Sequence, residues 1–506
     1  MRRPTKTARV LLPLALVAAL ALAAPRGVPT APPAEDGECF TVLVGREASA
    51  DGSVMVAHNE DDRGEIVVNL RKIAPRDYGS SRKVGLGKGA FHETGGKTAG
   101  FLWIEATTQE FADSFVNEHG VLVTSDSCPS RVADEDYTDG GIGWMLRRLV
   151  AEQATSARDA VRLAGELVEK YGYRSSGRTY SIADKDEAWM LAVLRGRRWV
   201  AQRVPDGEVA VIPNHFTIRA IRLDDPDRFM GSKDIVDYAV KNGWHDAAKD
   251  GPFDFKKAFE RPSTHEPAAD GNALRHWRGL ELVTGKRWEL SRDYPFSVKP
   301  GKKVTAEALM AVLRDHYEGT AYDATDGYRT GTPNRTKFRT ICTSSTINAF
   351  VASLGGTRPA PLATAIWLAL GKPDTTVFLP LYYGVGSLPP GAGLGTNEHD
   401  DAVFAEQHFE DAGFQAAKGG LLNTKVLALE RAAEADYGPV RTMLEKELFP
   451  VEKAFIEGRP KFEKDFAALF AKNKAKARQK LDAYVAAAFA KAAALTEKLT
   501  PKTPGT

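Results

Sequence analysis

The sequence predicts an α+β fold, with antiparallel strands and helices segregated along the chain. Three observations carry this. Cys39-Phe40-Thr41-Val42-Leu43-Val44-Gly45 and the run ending in Ala57-His58-Asn59-Glu60-Asp61-Asp62 flank Ala50-Asp51-Gly52-Ser53. Asp-Gly between two such runs predicts a tight hairpin, because both residues tolerate the positive φ of a primed turn. Residues 179–213 read as a meander of short runs divided by Asp184-Lys185-Asp186-Glu187, Arg195-Gly196 and Pro205-Asp206-Gly207. From residue 400 onward helical patterns dominate. Strands in sequence followed by helices point to α+β and away from a doubly wound parallel sheet.

The chain opens on Arg2, Arg3, Lys6 and Arg9, continues with an almost wholly apolar run over 10–23, and offers Ala21-Leu22-Ala23 as a small-residue cleavage site. Residues 1–23 therefore read as a secretory signal peptide. A membrane span needs about 20 apolar residues, and Pro25 and Arg26 cut this run short. No later stretch is apolar enough to span, so an exported chain with no membrane span after signal removal is expected. Residues 24–38 are too rich in proline and small residues to pack, and serve as a tether or a propeptide. Gly37 and Glu38 are not the small apolar pair that would mark Cys39 as a lipid-attachment site.

If residues up to Glu38 are removed, Cys39 carries its thiol and a free α-amine on one carbon. An α-amine titrates near pH 8, about two units below lysine, so it can take the thiol proton at neutral pH. The thiolate is the reactive form, and a nearby cation favours it. A buried cysteine acting only as a small core residue is the plain alternative.

Beyond the hairpin, 65–73 reads as a strand and 78–97 as a polar loop. Gly95-Gly96-Lys97-Thr98 is not a phosphate loop, because Phe91 stands where the leading glycine is required. Residues 99–107 and 115–124 read as strands, the second broken at His119-Gly120, and Ser125-Asp126-Ser127 reads as the end of that strand rather than as a set of oxyanion donors. Helices are predicted over 141–153 and 156–171, the latter opened by Ser156 with Asp159 and closed by Gly172. Ala160, Leu163, Ala164, Leu167 and Val168 make its buried stripe. Residues 225–318 hold four short helices in an insertion that shapes the pocket, with Trp277 and Trp288 as core residues. Strand-like runs return over 338–353, 363–369 and 375–381. The tail over 461–499 carries Phe466, Leu469, Phe470, Leu481, Tyr484, Val485 and Phe489 at helical spacing, which marks a packing face rather than a contact with a cell-wall polymer or a second subunit.

A charge of +2 over 506 residues, with no basic stretch interleaved with aromatics, excludes a nucleic-acid partner and favours a small neutral or zwitterionic substrate. Three cysteines in an exported chain leave one over. With Cys39 as the working thiol, Cys128 and Cys342 either form a disulfide or stay as unpaired buried thiols. His399 and His408 with Asp400 and Asp401 match no metal spacing and read as surface residues. No Gly-x-Ser-x-Gly elbow or His-Glu-x-x-His motif supports another hydrolytic chemistry.

The stretch from Cys39 to Asp62 resembles the start of the secreted dipeptidases among the N-terminal nucleophile (Ntn) hydrolases, the superfamily of penicillin V acylase and bile salt hydrolase. Further blocks agree in order. They are Val116-Asn117-Glu118-His119-Gly120-Val121, Ile182-Ala183-Asp184-Lys185-Asp186-Glu187-Ala188-Trp189, Trp199-Val200-Ala201-Gln202-Arg203-Val204-Pro205-Asp206, Asn214, Arg339-Thr340-Ile341-Cys342, Trp367, and 373–382. The resemblance implies a four-layer αββα sandwich over 39–399, with the 225–318 insertion and a helical region over 400–506. It also implies a cofactor-free, metal-free hydrolase of dipeptides or another small amide, in which Cys39 attacks the carbonyl and Asp61 orients it. Asn214 supplies an oxyanion donor, and Arg339, or Arg335 close by, keeps the site electropositive. His58 stands where the family carries arginine, so its charge depends on pH. An acylase, or an inactive wall-associated protein with the same fold, are the alternatives.

Overall fold

The computed structural model describes residues 39–62, 66–329, 332–334, 338–393, 408–409 and 420–501. The layering is visible in a single strand. In β10 (Ala188–Gly196), Ala188, Met190, Ala192 and Leu194 join one apolar core while Trp189, Leu191 and Val193 join another. A strand with two apolar faces must be covered on both sides.

Two antiparallel sheets provide the inner layers. One has six strands in the order β12 (Val209–Ile212), β1 (Phe40–Val44), β2 (Ser53–Asp61), β14 (Thr346–Gly355), β15 (Thr364–Ala369) and β16 (Leu379–Tyr382). The other has eight, in the order β13 (Phe229–Gly231), β11 (Trp199–Arg203), β10, β9 (Tyr173–Ala183), β8 (Leu122–Ser127), β7 (Ser114–Asn117), β6 (Phe101–Ala106) and β3 (Val68–Ile73). Val54, Val56 and Phe350 of the first sheet share a core with Leu102, Val116 and Met190 of the second, so the sheets stack face to face.

Helices Met145–Gln153 and Ala157–Tyr171 cover the outer face of the eight-stranded sheet, and helices Gly271–Thr284 and Ala306–Leu313 cover that of the six-stranded sheet. The result is helix, sheet, sheet, helix. Ser156 caps the second helix on the Asp159 amide and Gly172 ends it at φ 78°, as the sequence signals require. Gly165 lets that helix approach Trp199, since a Cβ there would lie 2.1 Å from the indole.

Several local expectations are corrected. The β1–β2 connection is the eight-residue loop 45–52, not a two-residue turn; Gly45 donates to the Glu208 carbonyl at 3.0 Å, and Gly52 ends the loop at φ 73°. The predicted polar loop over 78–97 is a hairpin of β4 (Arg76–Gly85) and β5 (Phe91–Thr98). Most of its side chains face solvent, which erased the apolar alternation; Arg82 ties it to Glu152 at 2.7 Å. Residues 235–313 hold five α-helices where four were expected. β14 begins at Thr346 and β16 at Leu379, later than the predicted runs.

Cys128 and Cys342 are both buried and free, so the possible disulfide is not formed. His408 is buried, not on the surface: its ring nitrogens lie 3.0 Å from Glu105 Oε1 and 2.7 Å from the Gln109 carbonyl, and it stacks on Trp144. A buried Glu105 carboxylate needs that partner. His399, Asp400, Asp401 and Arg335 lie outside the described residues, as does all of 1–38.

Beyond residue 420 the described chain is helical, over Leu422–Ala435, Tyr437–Met443, Phe449–Lys472 and Lys474–Leu499. Phe466, Leu481, Val485 and Phe489 are buried and Phe462 stacks on Tyr484 at 3.7 Å, so the tail's apolar stripe is an internal packing face. No helix among the described residues is long and apolar enough to cross a membrane.

Candidate active site

The period of two in β1 and β2 assembles the site. Phe40 and Val42 face the helical layer, so Cys39 and Thr41 face the other sheet. Register pairs Thr41 with His58 and Phe40 with Asn59, which sets Cys39 across from Glu60. The Cys39 thiol donates to Glu60 Oε1 at 2.9 Å, and His58 Nε2 lies 3.0 Å from the other oxygen of that carboxylate. Thr41 Oγ1 donates to Asp126 Oδ2 at 2.7 Å and lies 2.7 Å from His58 Nδ1, while Nε2 faces the Glu60 carboxylate.

Alternate residues of β2 point the other way, into the helical layer. Asn59 Nδ2 donates to the Leu313 and Ile341 carbonyls, each at 2.9 Å. Asp61 Oδ1 accepts from Thr346 Oγ1 at 2.6 Å, and Oδ2 accepts from Arg339 Nη2 at 3.0 Å. Arg275, on helix Gly271–Thr284, brings Nη1 to 3.9 Å from the same Asp61 oxygen. That guanidinium also donates to the Cys39 carbonyl at 2.9 Å, to Asn214 Oδ1 at 2.7 Å and to the Pro213 carbonyl at 3.1 Å. Asn214 sits at φ 71° and donates its amide to the Ser127 carbonyl at 3.0 Å. A left-handed non-glycine residue is uncommon, and asparagine is among those that tolerate it best.

Burial dominates the electrostatics. It pushes the Cys39 thiol well above the usual range, and the charges of Glu60 and Asp126 add to this while the Arg178 guanidinium opposes it. Asp61 is pushed up to about 6 by burial, with Arg339, Arg275 and Thr346 holding it from rising further. Asp126 is pushed up to about 7 by burial, against the charge of His58 and the Thr41 hydrogen bond. Burial lowers the affinity of His58 for its proton, but the Glu60 hydrogen bond and the three carboxylate charges around it outweigh this, and its pKa is raised.

Cys39, His58, Asp61, Asn214 and Arg339 thus fall in one connected network. His58 acts on the Glu60 carboxylate, so Glu60 stands between the predicted cation and the thiol. Glu60, Arg275, Arg178 and Thr41 were missed, and Asp126 reads in the sequence only as an oxyanion donor or a strand end. Strand periodicity could have found Glu60 and Thr41, which share the face of His58 and Cys39. Nothing in the sequence marks Arg275, which arrives from the insertion. The ligand-type atoms of Cys39, His58 and Glu60 lie within 4.8 Å of one another, yet each Glu60 oxygen already holds one of the other two.

Residues 38–405 match Peptidase family C69. The chain belongs to that family. This C69 chain is a peptide-bond hydrolase, and its αββα layering agrees with the Ntn-hydrolase architecture the sequence resemblance implied. It is 28% identical over 381 residues to "Probable dipeptidase B" of Lactococcus lactis subsp. lactis (strain IL1403), covering 72% of this chain and 78% of that one. It is 26% identical over 429 residues to "Probable dipeptidase" of Latilactobacillus sakei, covering 78% and 88%. A solved penicillin V acylase from Agrobacterium tumefaciens aligns with 68% of this chain and 85% of its own at 13% identity and a TM-score of 0.35, too low to carry an argument.

Proposed function

We propose that this C69 peptidase is exported and hydrolyses dipeptides or short peptides through an acyl-enzyme on Cys39, exposed as the N-terminal residue once residues 24–38 are removed. The observation that carries the reading is the placement of Cys39 at the head of β1, its thiol on Glu60 and its carbonyl on Arg275, within reach of the Asp61 and Asn214 network. The family match begins at residue 38, beside the bond to be cut. Dipeptide substrates follow the names of the relatives, and export follows the cationic start and apolar run of residues 1–23.

In the full-length chain the Cys39 nitrogen is an amide, and the buried thiol beside Glu60 is held un-ionised. Cutting the Glu38–Cys39 bond supplies a basic amine on the same carbon. The amine takes the thiol proton, the thiolate adds to the substrate carbonyl, and the oxyanion is met by the Asn214 amide. The ammonium then returns the proton to the leaving amine, and water, deprotonated by the same amine, releases the acyl group. Arg275 fixes the Cys39 carbonyl, so it holds the nucleophilic residue in place; Asp61 anchors Arg275 and Arg339.

The test is hydrolysis of a panel of dipeptides and N-acyl amides by secreted wild-type protein and by Cys39→Ala. Dipeptides are cleaved by the wild type alone. Turnover of the acyl amides only would assign an acylase, and full activity in Cys39→Ala would remove the thiol from the reaction.

A further inference from the structure

A second buried cluster, built from residues other than those around the Cys39 thiol, lies where three connections meet at one end of the six-stranded sheet. His316 follows helix Ala306–Leu313, Cys342 precedes β14, and Asp374 lies between β15 and β16. All three are buried, and one ligand-type atom from each lies within 4.8 Å of the others. His316 Nε2 is 3.3 Å from Asp374 Oδ2 and 3.4 Å from Asn334 Oδ1, which is 4.0 Å from Cys342 Sγ. Asp374 Oδ2 also accepts from Asn334 Nδ2 at 2.8 Å, whereas Asp374 Oδ1 is buried and accepts no hydrogen bond, so Oδ1 is the oxygen left for an ion. An ionised carboxylate oxygen enclosed without a donor is costly, and a cation would satisfy it.

We propose that His316, Cys342, Asp374 and Asn334 form a structural site for a thiophilic divalent transition-metal ion such as zinc. A tetrahedral ion with bonds of about 2.0–2.1 Å to nitrogen or oxygen and about 2.3 Å to sulfur spreads its ligands roughly 3.3–3.6 Å apart. Two of the three separations fall in that range, and the third, Asn334 Oδ1 to Cys342 Sγ at 4.0 Å, is wider. The imidazole is also set for ligation through Nε2, because Nδ1 faces the Tyr328 hydroxyl at 3.2 Å and Glu318 Oε1 at 3.6 Å, partners that fix the ring.

Ligation needs the Cys342 thiolate and a free lone pair on His316 Nε2, so binding releases to solvent the thiol proton and any proton on Nε2, and no oxidant or reductant is involved. Four donors from the protein leave no open position, which fits a structural site. The ion would pin the segment that carries Arg339, three residues before Cys342, to the Asp374 loop.

The site is tested with cobalt(II) supplied during expression of the full-length Cys39→Ser, Cys128→Ala chain, in which Cys342 is the sole thiol and the Cys39 cluster is disabled. The expected result is one cobalt per chain after dialysis, intense visible bands of a tetrahedral ion, and a near-ultraviolet thiolate-to-cobalt charge-transfer band. Adding Cys342→Ala removes that band and lowers the retained metal below one tenth per chain. Retained cobalt without the charge-transfer band, or no retained cobalt in the parent, overturns the proposal. Because the parent chain carries the decisive band, failure of the triple variant to fold does not affect the outcome.

Discussion

Arg275→Met keeps the length of the side chain and removes its charge. In the structure Arg275 is fully buried and holds the Cys39, Pro213 and Asn214 oxygens while facing Asp61. Methionine leaves those acceptors without that donor. Breaking a buried charged pair by removing one partner costs about 3–5 kcal/mol, so a loss of stability of that order is expected. Asp61 is pushed up to about 6 with Arg275 among the charges restraining it. Without that cation it rises further, toward neutrality and above.

The acidic limb of kcat/KM for dipeptide hydrolysis therefore moves to higher pH, by about one unit if the lost interaction is worth roughly 1.4 kcal/mol. Arg275→Lys retains charge but not the fork, so it keeps the limb nearer wild type while losing stability. The assay is kcat/KM from pH 5 to 9 together with denaturant unfolding. An Arg275→Met protein with the wild-type limb and unfolding within about 0.5 kcal/mol of wild type would show that Arg275 neither positions Cys39 nor charges Asp61.

Two further outcomes follow from the same geometry. His58→Arg places a permanent charge in a fully enclosed slot between Thr41, Glu60 and Phe350. It is expected to flatten the alkaline fall in activity and to cost about 1–3 kcal/mol for overpacking, read from pH–rate profiles and unfolding; identical profiles would remove His58 from the mechanism. For stability the sign is set by raised pKa values. Asp126 at about 7 and Asp61 at about 6 bind protons in the folded state that the unfolded chain has already lost above about pH 4. The raised His58 acts in the same direction, contributing below about pH 6.5 and losing that contribution as pH rises through its folded pKa. The full-length chain is thus more stable at pH 5.5 than at pH 8, and Asp126→Asn reduces the difference by up to a few kcal/mol. Equal stability at both pH values in wild type would contradict this.

The legible parts of the fold were those whose signal is local. Apolar runs divided by turn residues placed β1, β2 and the meander, and Ser156, Asp159 and Gly172 set both ends of one helix. The β4–β5 hairpin was read as a loop because its residues face water and leave no apolar period. Cys39, His58 and Asp61 could be named because one hairpin holds them. Arg275 could not, since its hydrogen bond to Cys39 spans 236 residues and its helix reads as an ordinary packing element. Asp126 read as a strand end, and only the stacking of the two sheets brings it to Thr41. The Cys342 thiol was weighed against Cys128 for a disulfide, whereas its neighbours are His316, Asn334 and Asp374.

The most direct measurement is the intact mass of active protein recovered from the culture medium, taken alongside its dipeptidase rate. A chain beginning at Cys39, with activity that appears as residues 24–38 are lost, is the expected result. Full activity in protein that still carries Glu38 ahead of Cys39 would mean that the free amine plays no part.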